Sequence, residues 1–354
     1  LRDQAAGTVM QVHFVVPGSL DQRTGGYLYD KRIVECLRAD ATTVTVHELA
    51  GSFPLVDGAA CEAAAAALDA IGDGLPVIDG LALPAFADLT DRLPDPWLAL
   101  VHHPLALESG LAQDQAEAFA GLERRLLPLA SRVIVTSPHT VADLAACQVP
   151  EARIGIVLPG TDPAPLAGGS EGRGMALLCV ASLTPRKGHL VLVEALAELV
   201  DLDWHLTCAG SLDRDPETAQ AVAAAIARLG LESRISLVGE LDEAGLAPLY
   251  HRADLFVLAS YHEGYGMALA EALARGLPIV STKAGAIPGT VPPSAGMLVE
   301  PGDPAAFAGA VRQIMTDPAL RDLLTAGATS ERERLPDWSD AAQAFAAELV
   351  RAGA

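Results

Sequence analysis

Residues 254–282 read DLFVLASYHEGYGMALAEALARGLPIVST, and the fold is decided there. The apolar run inside Asp254 to Ser260 predicts a buried parallel strand. Met267 to Arg275 carries small and apolar residues at helical spacing until Gly276 stops it, and the apolar residues that follow open a second strand. Strand, glycine loop, helix, strand is the repeating unit of open α/β sheets. The loop itself is Glu263-Gly-Tyr-Gly-Met267. Gly264 and Gly266 let the backbone come close to a ligand, and the first N–H groups of the helix have no intrahelical acceptor, so Gly264, Tyr265, Gly266 and Met267 form a candidate anion site. Glu263 and Glu271 stand about two helical turns apart and can lean toward one ligand. Carboxylates accept from paired hydroxyls while N–H groups take phosphate, a combination suited to a nucleotide-sugar. Glu271 taken alone also reads as a charged residue on the wet face of an alanine-rich helix.

A chain of 354 residues exceeds one ordinary core and predicts two domains. Hydrophobic residues make up 51%, but much of that is alanine, and the apolar runs fall short of the roughly 20 residues of a membrane span. The formal net charge of −21 argues against nucleic acid as a partner and against broad contact with an anionic membrane, while a local basic patch stays open. The N-terminal LRDQAAGTVMQVHFVV reads as a first strand and not as a secretory signal. Cys36, Cys61, Cys147, Cys179 and Cys208 show no metal-site spacing and are expected to be reduced, in a cytoplasmic protein.

Strand and helix patterns alternate along the whole chain, as a parallel sheet covered on both faces requires. Strands are expected at 9–16, 43–48, 75–79, 97–102, 132–136 and 154–158, with helices near 27–38, 59–71, 113–129 and 138–147. Residues 163–174, rich in Pro, Gly and charge, read as a linker. The alternation then restarts with strands at 176–180, 204–209 and 235–238 and helices at 188–200, 216–229 and 243–252, before the stretch quoted above. The domains are therefore expected at 1–165 and 175–335, with a final amphipathic helix in 336–354.

Three further places sit where such sheets bind ligands, beyond the carboxyl ends of strands. Gly25-Gly26 falls between the first strand and the first helix, and reads either as a ligand loop or as a turn. His102-His103 ends the strand at 97–102, and a strand-end histidine is either functional or a satisfied structural group. Arg186-Lys187 lies between the first strand and helix of the second domain. With only Lys31, Lys187 and Lys283 in the chain, a lysine there is poorly explained as a solubilising charge. Arg186 as a fork and Lys187 as a point charge could meet a diphosphate.

Glu263-x7-Glu271 within EGYGMALAEALARGLPIV resembles the paired-glutamate signature of the retaining glycosyltransferases of family 4. Lys187-Gly188, the turn Pro159-Gly-Thr-Asp162 and the segment 295–304 match further motifs of that family. The resemblance implies a GT-B fold: two Rossmann-like, doubly wound parallel-sheet domains facing a cleft, with the C-terminal helix returning to the first domain. It implies a nucleoside-diphosphate sugar as donor, an acceptor hydroxyl of unknown identity, and no metal or other cofactor. Glu263 would then touch the donor sugar and Glu271 the ribose. Arg186, Lys187 and the 264–267 backbone would face the leaving diphosphate, Gly25 and Gly26 would lie against phosphates and acceptor, and either His102 or His103 would lie near the sugar. Ser182 and Gly289 depart from the family pattern, which usually has Arg and Glu at those places. Asp201-Leu-Asp203 and Asp213-Arg-Asp215 offer a rival reading as a metal-dependent transferase, although Asp is common in turns beside strands. A sugar-nucleotide epimerase and a non-catalytic nucleotide-sugar binder are the other rivals.

Overall fold

The structure is a computed structural model and describes residues 11–108, 110–172 and 174–353. Val9 and Met10 of the expected first strand, with the rest of residues 1–10 in the segment read as non-secretory, lie outside the described residues. The chain divides into two units, one reaching to Pro159 and including the segment from Trp338, the other spanning Gly160–Asp337.

The first unit is built on β1 (Gln11–Pro17), β2 (Thr43–Leu49), β3 (Leu75–Asp79), β4 (Leu98–Val101), β5 (Arg132–Val135) and β6 (Ile154–Ile156), in the spatial order β2-β1-β3-β4-β5-β6. All its pairings are parallel. Helices α1 (Gly25–Ala39), α2 (Gly58–Ile71), α3 (Gln113–Leu126) and α4 (Pro138–Asp143) cover it. Both faces of the sheet are buried, which is why β3 and β4 are apolar without alternation. The strand order reverses between β1 and β3, which opens a crevice at their carboxyl ends.

The second unit holds β7 (Met175–Val180), β8 (Trp204–Ala209), β9 (Ile235–Leu237), β10 (Leu255–Leu258), β11 (Ile279–Thr282) and β12 (Gly296–Val299), ordered β12-β11-β10-β7-β8-β9 and parallel throughout. This is the dinucleotide-fold order, with its reversal between β7 and β10. Its helices are α5 (His189–Ala197), α6 (Pro216–Arg228), α7 (Glu243–Arg252), α8 (Met267–Ala274), α9 (Ile287–Thr290), α10 (Pro304–Thr316) and α11 (Pro318–Glu331). Asp303 caps α10 by accepting from Ala306 N, as its place before Pro304 predicts. Sequence reading had not marked α9 or α11, the first because it is a single turn.

The final helix, α12 (Trp338–Ala352), packs within the first unit. Phe345 stacks on Phe14 with ring centroids 5.5 Å apart, and Glu348 accepts from Arg132 of β5 at 2.8 Å. Gly155 of β6 makes room for that carboxylate, since a Cβ there would lie 2.4 Å from it. Among the described residues, no helix is long and apolar enough to cross a membrane.

Candidate active site

In the second unit the chain leaves β7 through Ser182 and Leu183 and makes a tight turn at Pro185–Lys187. Gly188 follows with φ +65°, and a Cβ there would lie 2.0 Å from the Ala259 carbonyl oxygen. Only glycine lets this turn lie directly on the end of β10. Tyr261 N donates to Arg186 O at 2.7 Å, and Arg186 Nη1 donates to His262 O at 2.9 Å, so the turn and the segment after β10 are tied at both ends. Lys187 Nζ thereby reaches both carboxylate oxygens of Glu263, at 2.7 and 2.9 Å. Ser260 Oγ donates to Glu263 Oε1 at 2.6 Å, and Arg186 Nη1 stands 3.6 Å from Oε2. The cluster spans the point where the strand order reverses.

Glu263 is only 5% exposed. Burial pushes its carboxyl up, but the charges of Lys187 and Arg186, with hydrogen bonds from Lys187 and Ser260, outweigh it and hold the group down to about 2. For Lys187, burial outweighs the attraction of Glu263 and lowers its pKa. Sequence reading treats Glu263 and Lys187 as separate ligand groups; the structure pairs them.

A second glycine fixes the other side of the loop. Gly285 has φ +57°, and a Cβ there would meet Glu263 O at 2.3 Å, while Ala286 N donates to that same oxygen at 2.8 Å. Thr290 Oγ1 donates to Tyr265 O at 2.7 Å. Gly266 is the N-cap of α8, in a left-handed conformation, and Met267 is its first residue. Glu271 projects from α8 to a different partner, accepting from the Tyr250 hydroxyl at 2.8 Å. Burial raises its pKa against the hydrogen bond from Tyr250 and the charge of Arg275. It is therefore no freely solvated helix residue.

In the first unit, Gly25 and Gly26 are not a loop. They are the first two residues of α1, after Thr24 at the N-cap. The His102 ring lies close over Gly26, where a Cβ would meet His102 Cδ2 at 3.2 Å and crowd the ring. His102 Nε2 lies 3.0 Å from Asp30 and 3.3 Å from Asp79, and the Tyr29 ring meets the imidazole edge-on at 5.3 Å. Burial lowers the His102 pKa, yet the two carboxylates raise it further, to about 10. Asp30, wholly buried, is pushed up by that burial to about 7. His103 turns to Glu108 instead, at 2.9 Å. The structure thus gathers Gly25, Gly26 and His102 and sets His103 on another carboxylate.

Sequence reading missed Asp30, Asp79, Ser260, Tyr250 and Gly285. Asp79 carried a usable signal, being the last residue of a strand before glycine, where sites gather. Asp30 carried none, since an acidic residue six positions into a helix is commonly solvated.

The rival acidic pairs are in part structural. Asp201 forms a salt bridge with Arg312 at 2.7 Å, and Asp215 caps α6 by accepting from Thr218 N at 2.9 Å. A cavity of about 330 Å³ does exist in this unit, but Ala176, His205 and Ala253 line it, at the amino ends of the strands and away from the glycine loop.

A GT-B protein is the class this fold defines, and the comparisons with known proteins agree. Residues 174–317, within the second unit, match the family described as glycosyl transferases group 1. The D-inositol 3-phosphate glycosyltransferase of Corynebacterium efficiens is 29% identical over 257 residues, covering 64% of this chain and 60% of that protein. Its counterpart in Corynebacterium jeikeium is 26% identical over 281 residues, covering 73% and 67%. The chain thus spans about 60% of the first relative's length and 67% of the second's. Among solved structures, sucrose-phosphate synthase from Thermosynechococcus elongatus superposes with a TM-score of 0.82 at 23% identity, over 96% of this chain and 98% of that one. HepE of Anabaena, in complex with UDP and glucose, gives 0.76 at 19% identity, over 96% and 99%. Both likenesses concern the fold.

Proposed function

We propose that the protein is a retaining glycosyltransferase that moves a sugar from a nucleoside-diphosphate sugar, UDP- or GDP-linked, to an acceptor hydroxyl. The observation that carries this reading is the Lys187–Glu263 pair set beside the 264–267 glycine loop at the strand-order reversal. Two N–H groups of the Lys187 ammonium point at Glu263, which leaves the third for a phosphate oxygen. Glu263 Oε2 receives one hydrogen bond from Lys187 and retains a lone pair for a sugar hydroxyl.

In transfer, the bond from the anomeric carbon to the diphosphate breaks, a bond to the acceptor oxygen forms, and the acceptor's proton passes to an oxygen of the departing diphosphate. Negative charge grows on the leaving group, where Lys187, Arg186 and the N–H groups at the start of α8 meet it without having to reorganise. Glu271, held by Tyr250, is the ribose ligand. A metal ion has no task in this step, because fixed cations and N–H groups do its work. The first unit takes the acceptor, with Gly25 and Gly26 bringing the start of α1 close and His102 supplying a charged N–H donor. The relatives' name puts D-inositol 3-phosphate at the head of the acceptors to try.

A thermal-shift screen of UDP-, GDP- and ADP-sugars tests the donor. A ligand at 100 times its dissociation constant adds about 2.7 kcal/mol. One nucleotide series should stabilise the protein, and turnover with it should survive EDTA. Turnover lost in EDTA and restored by manganese contradicts this mechanism. A donor sugar epimerised with no acceptor consumed makes the protein an epimerase.

A further inference from the structure

We propose that Cys179, His189 and Cys208 form a binding site for one zinc-class cation in the core of the second unit. The nearest sequence spacing between any two of them is ten residues, so no motif announces the site. Register creates it: Cys179 of β7 and Cys208 of β8 are direct partners across the parallel pair, which puts both side chains on one face of the sheet. His189 is the first residue of α5, and the left-handed turn at Gly188 sends its ring back onto β7.

The donor atoms of the three residues all lie within 4.8 Å of one another, and Cys179 Sγ is 3.7 Å from His189 Nε2. With Zn–S near 2.3 Å and Zn–N near 2.0–2.1 Å, ligand angles between tetrahedral and trigonal place S and N about 3.6–3.8 Å apart. The observed spacing fits two ligands of one ion, as it also fits a thiol–imidazole hydrogen bond. Two thiols and an imidazole select a soft or borderline d10 cation over magnesium or calcium, which take oxygen ligands.

As plain core packing the cluster is poorly satisfied. Cys179, His189 and Cys208 are 0%, 2% and 2% exposed, yet His189 Nδ1 has no hydrogen-bond partner and Nε2 has only the thiol contact. Buried polar groups are nearly always better paired than this. A dication with two thiolates is electrically neutral, so it avoids the penalty of an isolated buried charge. The Pro185–Lys187 turn ends two residues before His189, so the cluster adjoins that turn along the chain. Metal binding at this cluster is independent of whether the protein transfers sugars.

The test uses the full chain with Cys36→Ser and Cys61→Ser, which removes the two thiols that are not buried. Under a phosphine reductant, added Zn²⁺ should remain at one equivalent after gel filtration. Co²⁺ in its place should give thiolate-to-cobalt charge-transfer absorption. Cys179→Ala and Cys208→Ala should each lose the equivalent and the absorption. Zinc retained equally by those variants, or not retained by the background protein, overturns the proposal. Should a variant fail to fold, the background protein decides alone: Zn²⁺ must raise its melting temperature and slow the reaction of its buried thiols with a disulfide reagent. Neither effect at saturating Zn²⁺ refutes the site.

Discussion

Lys187 Nζ sits 2.7 Å from Oε1 and 2.9 Å from Oε2 of Glu263, joining the carboxyl ends of two adjacent strands across 76 residues of sequence. The two glutamates that stand out in the sequence are therefore not a structural pair. Glu263 belongs to Lys187, Arg186 and Ser260, and Glu271 belongs to Tyr250 and Arg275.

Lys187→Ala leaves the Glu263 carboxylate buried with Ser260 and Arg186 alone. Breaking a buried pair from one side costs about 3–5 kcal/mol, so the variant should melt well below wild type. Transfer should fall by at least about tenfold, because in the proposed mechanism the lost charge acts mainly on the departing diphosphate. Denaturant melts and turnover measured together check this, and values within twofold of wild type for turnover remove Lys187 from the mechanism.

Acid should weaken the same pair. The Glu263 carboxyl falls from its ordinary 4.5 to about 2 in the folded protein, so its contribution is present above 4.5 and is lost as pH drops toward 2. A drop of that size corresponds to an upper bound on the order of 3 kcal/mol, since burial of Lys187 offsets part of it. Glu263→Gln should flatten the loss of stability between pH 4.5 and 2 in urea titrations. An acid limb as steep as that of wild type contradicts the assignment.

His102 should remain an imidazolium at neutral pH. Its pKa is raised, so its contribution to stability is complete below 6.5 and disappears only as pH rises through about 10. Imidazole nitrogen chemical shifts should report the charged form at pH 7.5, and the rate should show no limb near 6.5 from this group. Asp79→Asn should lower the pKa by removing one of its two carboxylates. An unperturbed His102 titration in wild type rejects its role as a charged donor.

Two glycines should respond oppositely. Gly188→Ala forces a Cβ to within 2.0 Å of a β10-end carbonyl in a left-handed conformation, and should displace the Lys187 turn or unfold the unit. Gly289, where the resembling family carries Glu, has open space at its Cβ, so Gly289→Ala should leave melting unchanged or slightly raised. Circular-dichroism melts of both variants check the contrast. Equal melting temperatures would mean that the 188 turn is not tightly seated.

Why the architecture could be read so early is clear from β3, β4 and β10. Each is a short apolar run buried on both faces and bounded by loop residues, a local pattern that needs no knowledge of distant chain. Element ends were less legible: Gly25 and Gly26 open α1 where a loop was expected, and Thr24 at the N-cap position makes no side-chain capping bond that would mark the start. The site was legible where one loop carries it, as in 263–267. It was illegible where register carries it, as for Asp30, Asp79 and His102, which meet only because β1, β3 and β4 lie side by side.

The central claim is that the glycine loop and its two glutamates hold a nucleotide-sugar, with Glu271 on the ribose and Glu263 on the sugar. Calorimetric titration of the free nucleoside diphosphate into wild type, Glu263→Gln and Glu271→Gln tests it most directly. Glu271→Gln replaces a charged acceptor with a neutral amide and should weaken nucleotide binding, whereas Glu263→Gln should leave that affinity within about twofold and slow turnover of the complete donor. Equal nucleotide affinity and equal turnover in all three proteins would contradict the account.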